Sequence, residues 1–453
     1  MPESAHGPTN NCIGIGDALR RRGHQVVFAA EASWAGQLTP LGFTEELIDL
    51  APPEPAPDGD GTDQTNGDGT GEPDATGTGS PAAGQFWIDF IRDTAPEFRK
   101  PTIDALATFV RPTWQALIDG ARYAQDQLTD VIARTRPDVI VEDNVVGFPA
   151  LLTAGVPFVR IVSCQPLEIG GAGAGGVDRA TVPPPFSGLP ATDPTDWAAF
   201  RTAYDELHRP LWSEFDAWMR DQGAPPLPDL EFIHTSEAAN LYVYPEIADY
   251  TAVRPLDRRW HRLDSSVRAT DAAFTPPPEL LAAGPADPDA ALIYLSLGSL
   301  GSADLDLMRR LVGILADTPH RYIVSTGPRG DELVLPPNMW GRPVVPQTAV
   351  LPHCDLVITH GGNNTTTEAL HFGTPMVVLP LFWDQHDNAQ RMAELGLGIR
   401  LAPYDATPGE LTTAVAALLG DRARRDRLAA EGARIRARDG LRRAADLLEG
   451  LAP

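Results

Sequence analysis

The sequence predicts an α/β protein made of two doubly wound, parallel-sheet domains that face one another across a cleft. Three observations carry that prediction. The 453 residues suffice for two domains of about 200 residues each. In both halves short apolar runs alternate with helical periods, the pattern of parallel strands joined by crossover helices. Between the halves lies a polar, Arg-rich and proline-bounded stretch, Pro255 to Pro278, read as an interdomain linker.

Composition narrows the function classes. Hydrophobic residues make up 43% of the chain, which fits a globular protein. With 61 acidic against 36 basic residues, the formal net charge is -25. Such a surface repels nucleic acid and anionic lipid, so neither is an expected partner. No apolar run approaches the roughly 20 residues that cross a bilayer. Cys12, Cys164 and Cys354 are scattered without metal-ligand spacing, which suits a reducing, cytoplasmic setting.

The elements follow in chain order. A doubly wound domain opens on an apolar strand, yet none precedes Ala5-His6-Gly7. The first strand is therefore expected to be missing, with the start of the chain set too far downstream. Ile13 to Arg22 reads as a helix and His24 to Ala30 as a strand. Residues 51–84 carry seven acidic residues and no basic one among Gly, Pro and Thr, and read as a disordered insertion. From Phe86 to Thr135 helical spacing dominates; its aromatics suit core packing first and an apolar acceptor cleft second. Asp138 to Asp143 reads as a buried strand ending in carboxylates, and Pro157 to Val162 as another. Gly170 to Gly176 lacks the Lys-Ser/Thr pair of a phosphate loop and reads as a mobile loop on the acceptor side. Asn240 to Tyr244 closes a first domain, 1–254. Ala291 to Ser299, a strand entering a glycine turn, opens a second, 279–430. The helical period then runs from Glu410 to Leu448.

Residues 355–390 carry the chemistry. Leu356 to Ile358 reads as a buried strand ending at His360. Gly361 and Gly362 make a tight turn, and Asn364 to Glu368 opens a helix. Free N–H groups and the helix dipole make that helix start an anion site. Glu368 lies one turn in, where a carboxylate can accept from both hydroxyls of a ribose diol. A second strand, Met376 to Leu379, runs into a loop bearing Asp384 and Gln385, suited to sugar hydroxyls. Phosphate, ribose and sugar in that order describe a nucleotide-sugar.

This block resembles the donor signature of the UDP-glycosyltransferase-like family of GT-B glycosyltransferases, the macrolide and antibiotic type. His360, Gly362, Asn364, Thr365, Glu368, Gly373, Pro375, Asp384 and Gln385 match it at nine positions within 26 residues. The resemblance implies a GT-B fold with acceptor domain 1–254, donor domain 279–430 and a final helix, 431–453, crossing back to the first domain. It implies an inverting, metal-independent transfer from a UDP- or TDP-sugar to a hydroxyl of a small apolar acceptor such as a macrolide, polyketide or phenolic. No cofactor is expected, and a homodimer is compatible with it. His6 is the implied base, although its distance to Arg22-Gly23-His24 is two residues longer than the family spacing. Asp143 is its implied partner, with Glu142 as competitor. Ser299, His360 and Thr365 would meet phosphate, and Gln347 the nucleobase. Val344 stands where many relatives carry a stacking Trp.

Two other motifs are weaker. Asp304-Leu305-Asp306 has a metal-binding form but sits at a helix start, where carboxylates suit the dipole. Gly14-Ile15-Gly16 lacks the third glycine of a dinucleotide fingerprint. A nucleotide-binding partner without catalysis, or a GT-B-fold epimerase or phosphorylase, remain as other classes.

Overall fold

The computed structural model describes residues 1–51, 85–169, 179–253, 255–278, 280 and 290–452. The expected insertion at 51–84 beyond its first residue, the loop at 170–176 and part of the start of the second domain, 281–289, lie outside the described residues. The first domain contributes strands β1 (Val27–Glu31), β2 (Thr44–Ile48), β3 (Ile140–Glu142), β4 (Phe158–Val162), β5 (Ala239–Tyr242) and β6 (Trp260–Arg262). The second contributes β7 (Leu292–Ser296), β8 (Arg321–Ser325), β9 (Met339–Arg342), β10 (Leu356–Thr359), β11 (Met376–Val378) and β12 (Gly398–Arg400). The longer helices are α1 (His6–Arg21), α2 (Gln85–Thr94), α3 (Arg111–Thr135), α4 (Trp197–Asp221), α5 (Leu305–Ala316), α6 (Asn363–Phe372), α7 (Gln385–Glu394), α8 (Pro408–Gly420), α9 (Arg422–Arg438) and α10 (Gly440–Glu449).

The second domain is a six-stranded sheet in the order β12-β11-β10-β7-β8-β9, with every pairing parallel. Its strands are apolar runs because helices cover both faces, and the inner residues of β7 and β10 are fully buried. Chain order reverses between β7 and β10. Open parallel sheets bind ligands outside the carboxyl ends of the strands at such a switch point.

The first domain holds a two-stranded β1-β2 sheet and a four-stranded β3-β4-β5-β6 sheet. Among the described residues no strand precedes α1, but the first residues pair beside the end of β3. Pro2 bridges Asp143 in parallel; Asp143 N–H donates to Met1 O (3.0 Å), and Glu3 N–H to Asp143 O (2.7 Å). Met1 to Glu3 thus pair in parallel with the end of β3 through one isolated bridge and lead into α1. Three residues are too few to show a period, so the pattern conceals them.

The linker is corrected. Trp260 to Arg262 is not connector but the last strand of the first sheet, with Trp260 set edge-on to Tyr242, ring centroids 5.7 Å apart. Its flanking arginines gave it a polar look. The chain leaves the first domain only after Asp264.

The end of the chain returns to the first domain. α9 lies on the donor domain, Asp439 turns the chain with φ 51°, and α10 packs on α1. Leu448, Ala444 and Ala445 are buried, the first two in one cluster with Ile13 and Ile15. Arg22 and His24 both reach the Glu449 carboxylate (2.7 and 2.8 Å). Replacing Leu448 by Ala should remove about 2–5 kcal/mol from the first domain, by lost burial plus a cavity. A thermal-unfolding midpoint indistinguishable from the parent chain would show that α10 does not brace α1.

Candidate functional site

A cavity of 830 Å³ opens between the two sheets. One wall is the start of α1 with Asp143 and Ser163; the other is the start of α6 with the loops after β7, β9 and β11. A Cβ placed on Gly7 would lie 3.9 Å from the Asn364 side chain, so the amino termini of α1 and α6 face each other at close range.

The second wall follows from local sequence. β10 ends at Thr359, and Gly361 (φ 86°) turns the chain so that Gly362 caps α6 in extended conformation. His360 is held in the gap between two glycines. A Cβ on Gly298 would come within 2.7 Å of its ring, and one on Gly362 within 2.5 Å; Gly298 also needs φ 72°. Burial pushes the His360 imidazole down to about 4. It is therefore neutral at pH 7 and meets an anion as an N–H donor rather than as a cation. Ser299, in the short helix Gly298–Gly301 after β7, Thr365 and Asn364 line the same wall.

The other predicted residues are distributed less simply. Val344 lines the cleft and is 76% exposed, a bare apolar surface fit to meet a flat ring. Gln347 does not turn its side-chain amide to that ring. Its Nε2 donates to Glu368 Oε2 (2.6 Å) and Thr365 Oγ1 (3.2 Å). Glu368 is 3% exposed and lies one layer behind the wall. Arg268 Nη1 donates to its other oxygen at 3.1 Å. A carboxylate has about four acceptor positions, and these two partners leave positions open on both oxygens.

At the start of α7, Gln385 spends its Oε1 on Leu381 N–H (3.0 Å) and Phe382 N–H (3.2 Å). Its Nε2 is the group left for a ligand. Asp384 is 8% exposed, and burial raises its carboxyl to about 7. Between these and the first domain stands Trp383, at φ 54°. Its ring lies 4.9 Å from Trp114 and 4.5 Å from Phe186, and its Nε1 donates to Glu168 (3.1 Å). Asp387 ties the domains together by accepting from Phe186 and Gly188 N–H (2.6 and 2.7 Å).

On the first wall His6 opens α1, its ring centroid 5.0 Å from Trp34. Burial, then the nearby Arg268 charge, lower its pKa. Asp143 lines the same cleft, but its carboxylate is occupied elsewhere: Ser163 Oγ donates to Oδ1 (2.8 Å) and Asn11 Nδ2 to Oδ2 (3.5 Å). Burial raises its carboxyl to about 7. His6 and Asp143 thus share the cleft without a hydrogen bond between them. The competitor, Glu142, is buried against Arg160 (3.1 Å) away from the cavity. Trp87 and Phe109 line the cavity as well as packing in the core. Asp304 caps α5 through Leu307 N–H (3.0 Å) and accepts from Tyr404 (2.8 Å), while Asp306 is exposed to solvent.

Sequence reasoning missed Arg268, Asp271, Ser163, Asn11 and Glu168. Each reaches the site only through tertiary contact, and none belongs to a local motif; Arg268 had been placed in a linker.

The family model described as "Erythromycin biosynthesis protein CIII-like, C-terminal domain" matches residues 309–437. Demethyllactenocin mycarosyltransferase of Streptomyces fradiae is 28% identical over 99% of this chain and 84% of its own length. Oleandomycin glycosyltransferase of Streptomyces antibioticus is 26% identical over 99% and 89%. Among solved structures, the glycosyltransferase of kitacinnamycin superposes with TM-score 0.65 at 22% identity, covering 98% of this chain and 96% of that one. The glycosyltransferase VinC in complex with DTDP gives 0.58 at 17% identity, with 98% of each chain covered. These solved structures share the GT-B fold with this chain.

The His360 environment yields a test that needs no ligand. In an NMR titration its Cε1 proton should show no midpoint between pH 5 and 8, because its pKa is lowered to about 4. A midpoint near the ordinary histidine value of about 6.5 would mean that the ring is not enclosed as described.

Proposed function

We propose that this chain, a glycosyltransferase, works in the manner of the macrolide and antibiotic type, by the following reaction. A sugar passes with inversion from a UDP- or TDP-sugar to a hydroxyl of a small apolar acceptor, without a metal. The observation that supports it best is the opposition of the α1 and α6 amino termini across one cavity. The donor diphosphate lies on the α6 N–H groups, Ser299, Thr365 and neutral His360. The nucleobase rests on Val344, the ribose diol uses the open acceptor positions of Glu368, and the sugar hydroxyls meet Asp384 and the Gln385 amide. VinC was solved with DTDP, which supports a TDP-sugar as one donor.

The acceptor enters beside Trp87 and Phe109, whose apolar faces favour a hydrophobic molecule. His6 is neutral at pH 7 because its pKa is lowered, so it can take the hydroxyl proton as the oxygen attacks the sugar carbon. The bond to the diphosphate breaks as the new bond forms. Charge developing on the departing phosphate is met by fixed N–H donors. Asp143 supports the imidazolium from across the cleft when ionised.

Mass-spectrometric product analysis with UDP-glucose and TDP-glucose against hydroxylated acceptors tests the reading; no glycoside with any acceptor, despite nucleotide binding, would favour a non-catalytic nucleotide-binding partner. The missing His6–Asp143 hydrogen bond is what motivates that second reading.

Two further outcomes divide the roles. Glu368→Ala should weaken nucleotide binding about tenfold or more by removing a charged acceptor. His6→Ala should abolish turnover while leaving nucleotide affinity intact; calorimetry on both variants separates them, and equal losses of affinity would refute the division. Asp143 is ionised only above its raised value of about 7, so turnover should climb as pH rises through that region. Asp143→Asn should flatten this limb, and an unchanged limb would remove Asp143 from the mechanism. Turnover should also be indifferent to EDTA.

A further inference from the structure

Arg268 is the one Arg or Lys side chain that lines the cavity among the described residues; every other charged group there is a carboxylate or a histidine. It comes from neither signature but from the connector between the domains. Its guanidinium is fixed with unusual completeness. Nε and Nη2 donate to the two oxygens of Asp271 (2.8 and 3.0 Å), and Nη1 donates to Glu368 (3.1 Å). Asp271 is itself held by Thr348 N–H (3.2 Å) and Oγ1 (2.8 Å). A guanidinium has five N–H donors. Three are used, and one on each terminal nitrogen remains for a ligand.

We propose that Arg268 is a further donor-binding and catalytic residue, contacting the diphosphate of the nucleotide-sugar and stabilising it as it leaves. The proposal rests on the donor reading given above. Its grounds are the position and the chemistry. The guanidinium belongs to the same cavity wall as Thr365, bonds the carboxylate one turn further along α6, and lies close enough to His6 to lower its pKa. It therefore lies near both the proposed base and the helix that carries the proposed phosphate cradle. That cradle otherwise lacks positive charge, since His360 is neutral and the helix N–H groups carry only partial charges. Asp271 and Glu368 cancel the Arg268 charge at long range. Its effect is therefore strongest at hydrogen-bond distance, where a fixed, pre-oriented fork suits phosphate oxygens.

The test compares nucleotide with nucleoside. Wild type, Arg268→Met, Arg268→Lys and Glu368→Gln are titrated with UDP, TDP, uridine and thymidine, using ligand-observed NMR for the weak nucleosides. Arg268→Met should lose about 10- to 100-fold in diphosphate affinity, while nucleoside affinity changes less than about twofold, and Arg268→Lys should recover part of the loss. Glu368→Gln should weaken nucleoside and nucleotide alike. With a sugar donor, Arg268→Met should also lower kcat, because charge on the leaving group grows in the transition state. Equal loss of nucleoside and nucleotide in Arg268→Met would reduce Arg268 to a prop for Glu368 and overturn the proposal. A gain for both would make it a plug in the empty site, with the same consequence. Failure of the wild type to bind either diphosphate would instead sink the donor reading itself, and is seen before any variant is compared.

Discussion

Two helix amino termini, those of α1 and α6, point at one another across a single cavity, and the rest of the structure serves to keep them there. α6 starts after the carboxyl end of β10, and α1 after a short stretch bridged to the end of β3, so each brings free N–H groups and a positive dipole end to the same place. Helix ends aimed at one another are electrostatically unfavourable without an anion between them. Close approach at Gly7 and Asn364 is held instead by burial elsewhere: the Trp383 cluster with Trp114 and Phe186, the Asp387 bonds to the first domain, and α10 returning from the donor domain to α1. The interface does the work of opposing the repulsion, and the space left between the termini is the site.

The cavity is also shaped by the cost of burying charge. His360, His6, Asp143 and Asp384 all lose most of their water, and in each the form without charge gains. Histidines that are neutral at pH 7 can accept or donate one proton, and carboxyls raised to about 7 sit at the boundary between acceptor and donor. Among the described residues Arg268 alone carries a permanent positive charge into the cavity, and two carboxylates beside it offset the cost of that burial.

The wall of the cavity built by β10, α6 and the loop after β11 was legible in the sequence because its parts are consecutive. A strand, a glycine turn and a helix start are local structures, and the residues they present follow each other at fixed spacing from His360 to Gln385. What that reading could not supply was orientation. Gln347 turns to Glu368 rather than to the cleft, Glu368 stands behind the wall, and Gln385 spends its oxygen on its own loop. Side-chain amides choose among competing partners, and those partners come from other elements.

By itself, then, the sequence determined the class of fold, two wound domains, and the strand, turn and helix start that wall the cavity from His360 to Gln385, because both are written in hydrophobic period and in short-range spacing. Tertiary structure alone decided three things. It paired Met1 to Glu3 with the end of β3 and made Trp260 to Arg262 an edge strand, since such short pairings are defined by their neighbours' hydrogen bonds and not by a period. It gave the Asp143 carboxylate to Ser163 and Asn11 instead of His6. And it carried Arg268 from a connector into the cavity, because an ion pair between residues one hundred positions apart exists only once the connector has folded onto the second domain.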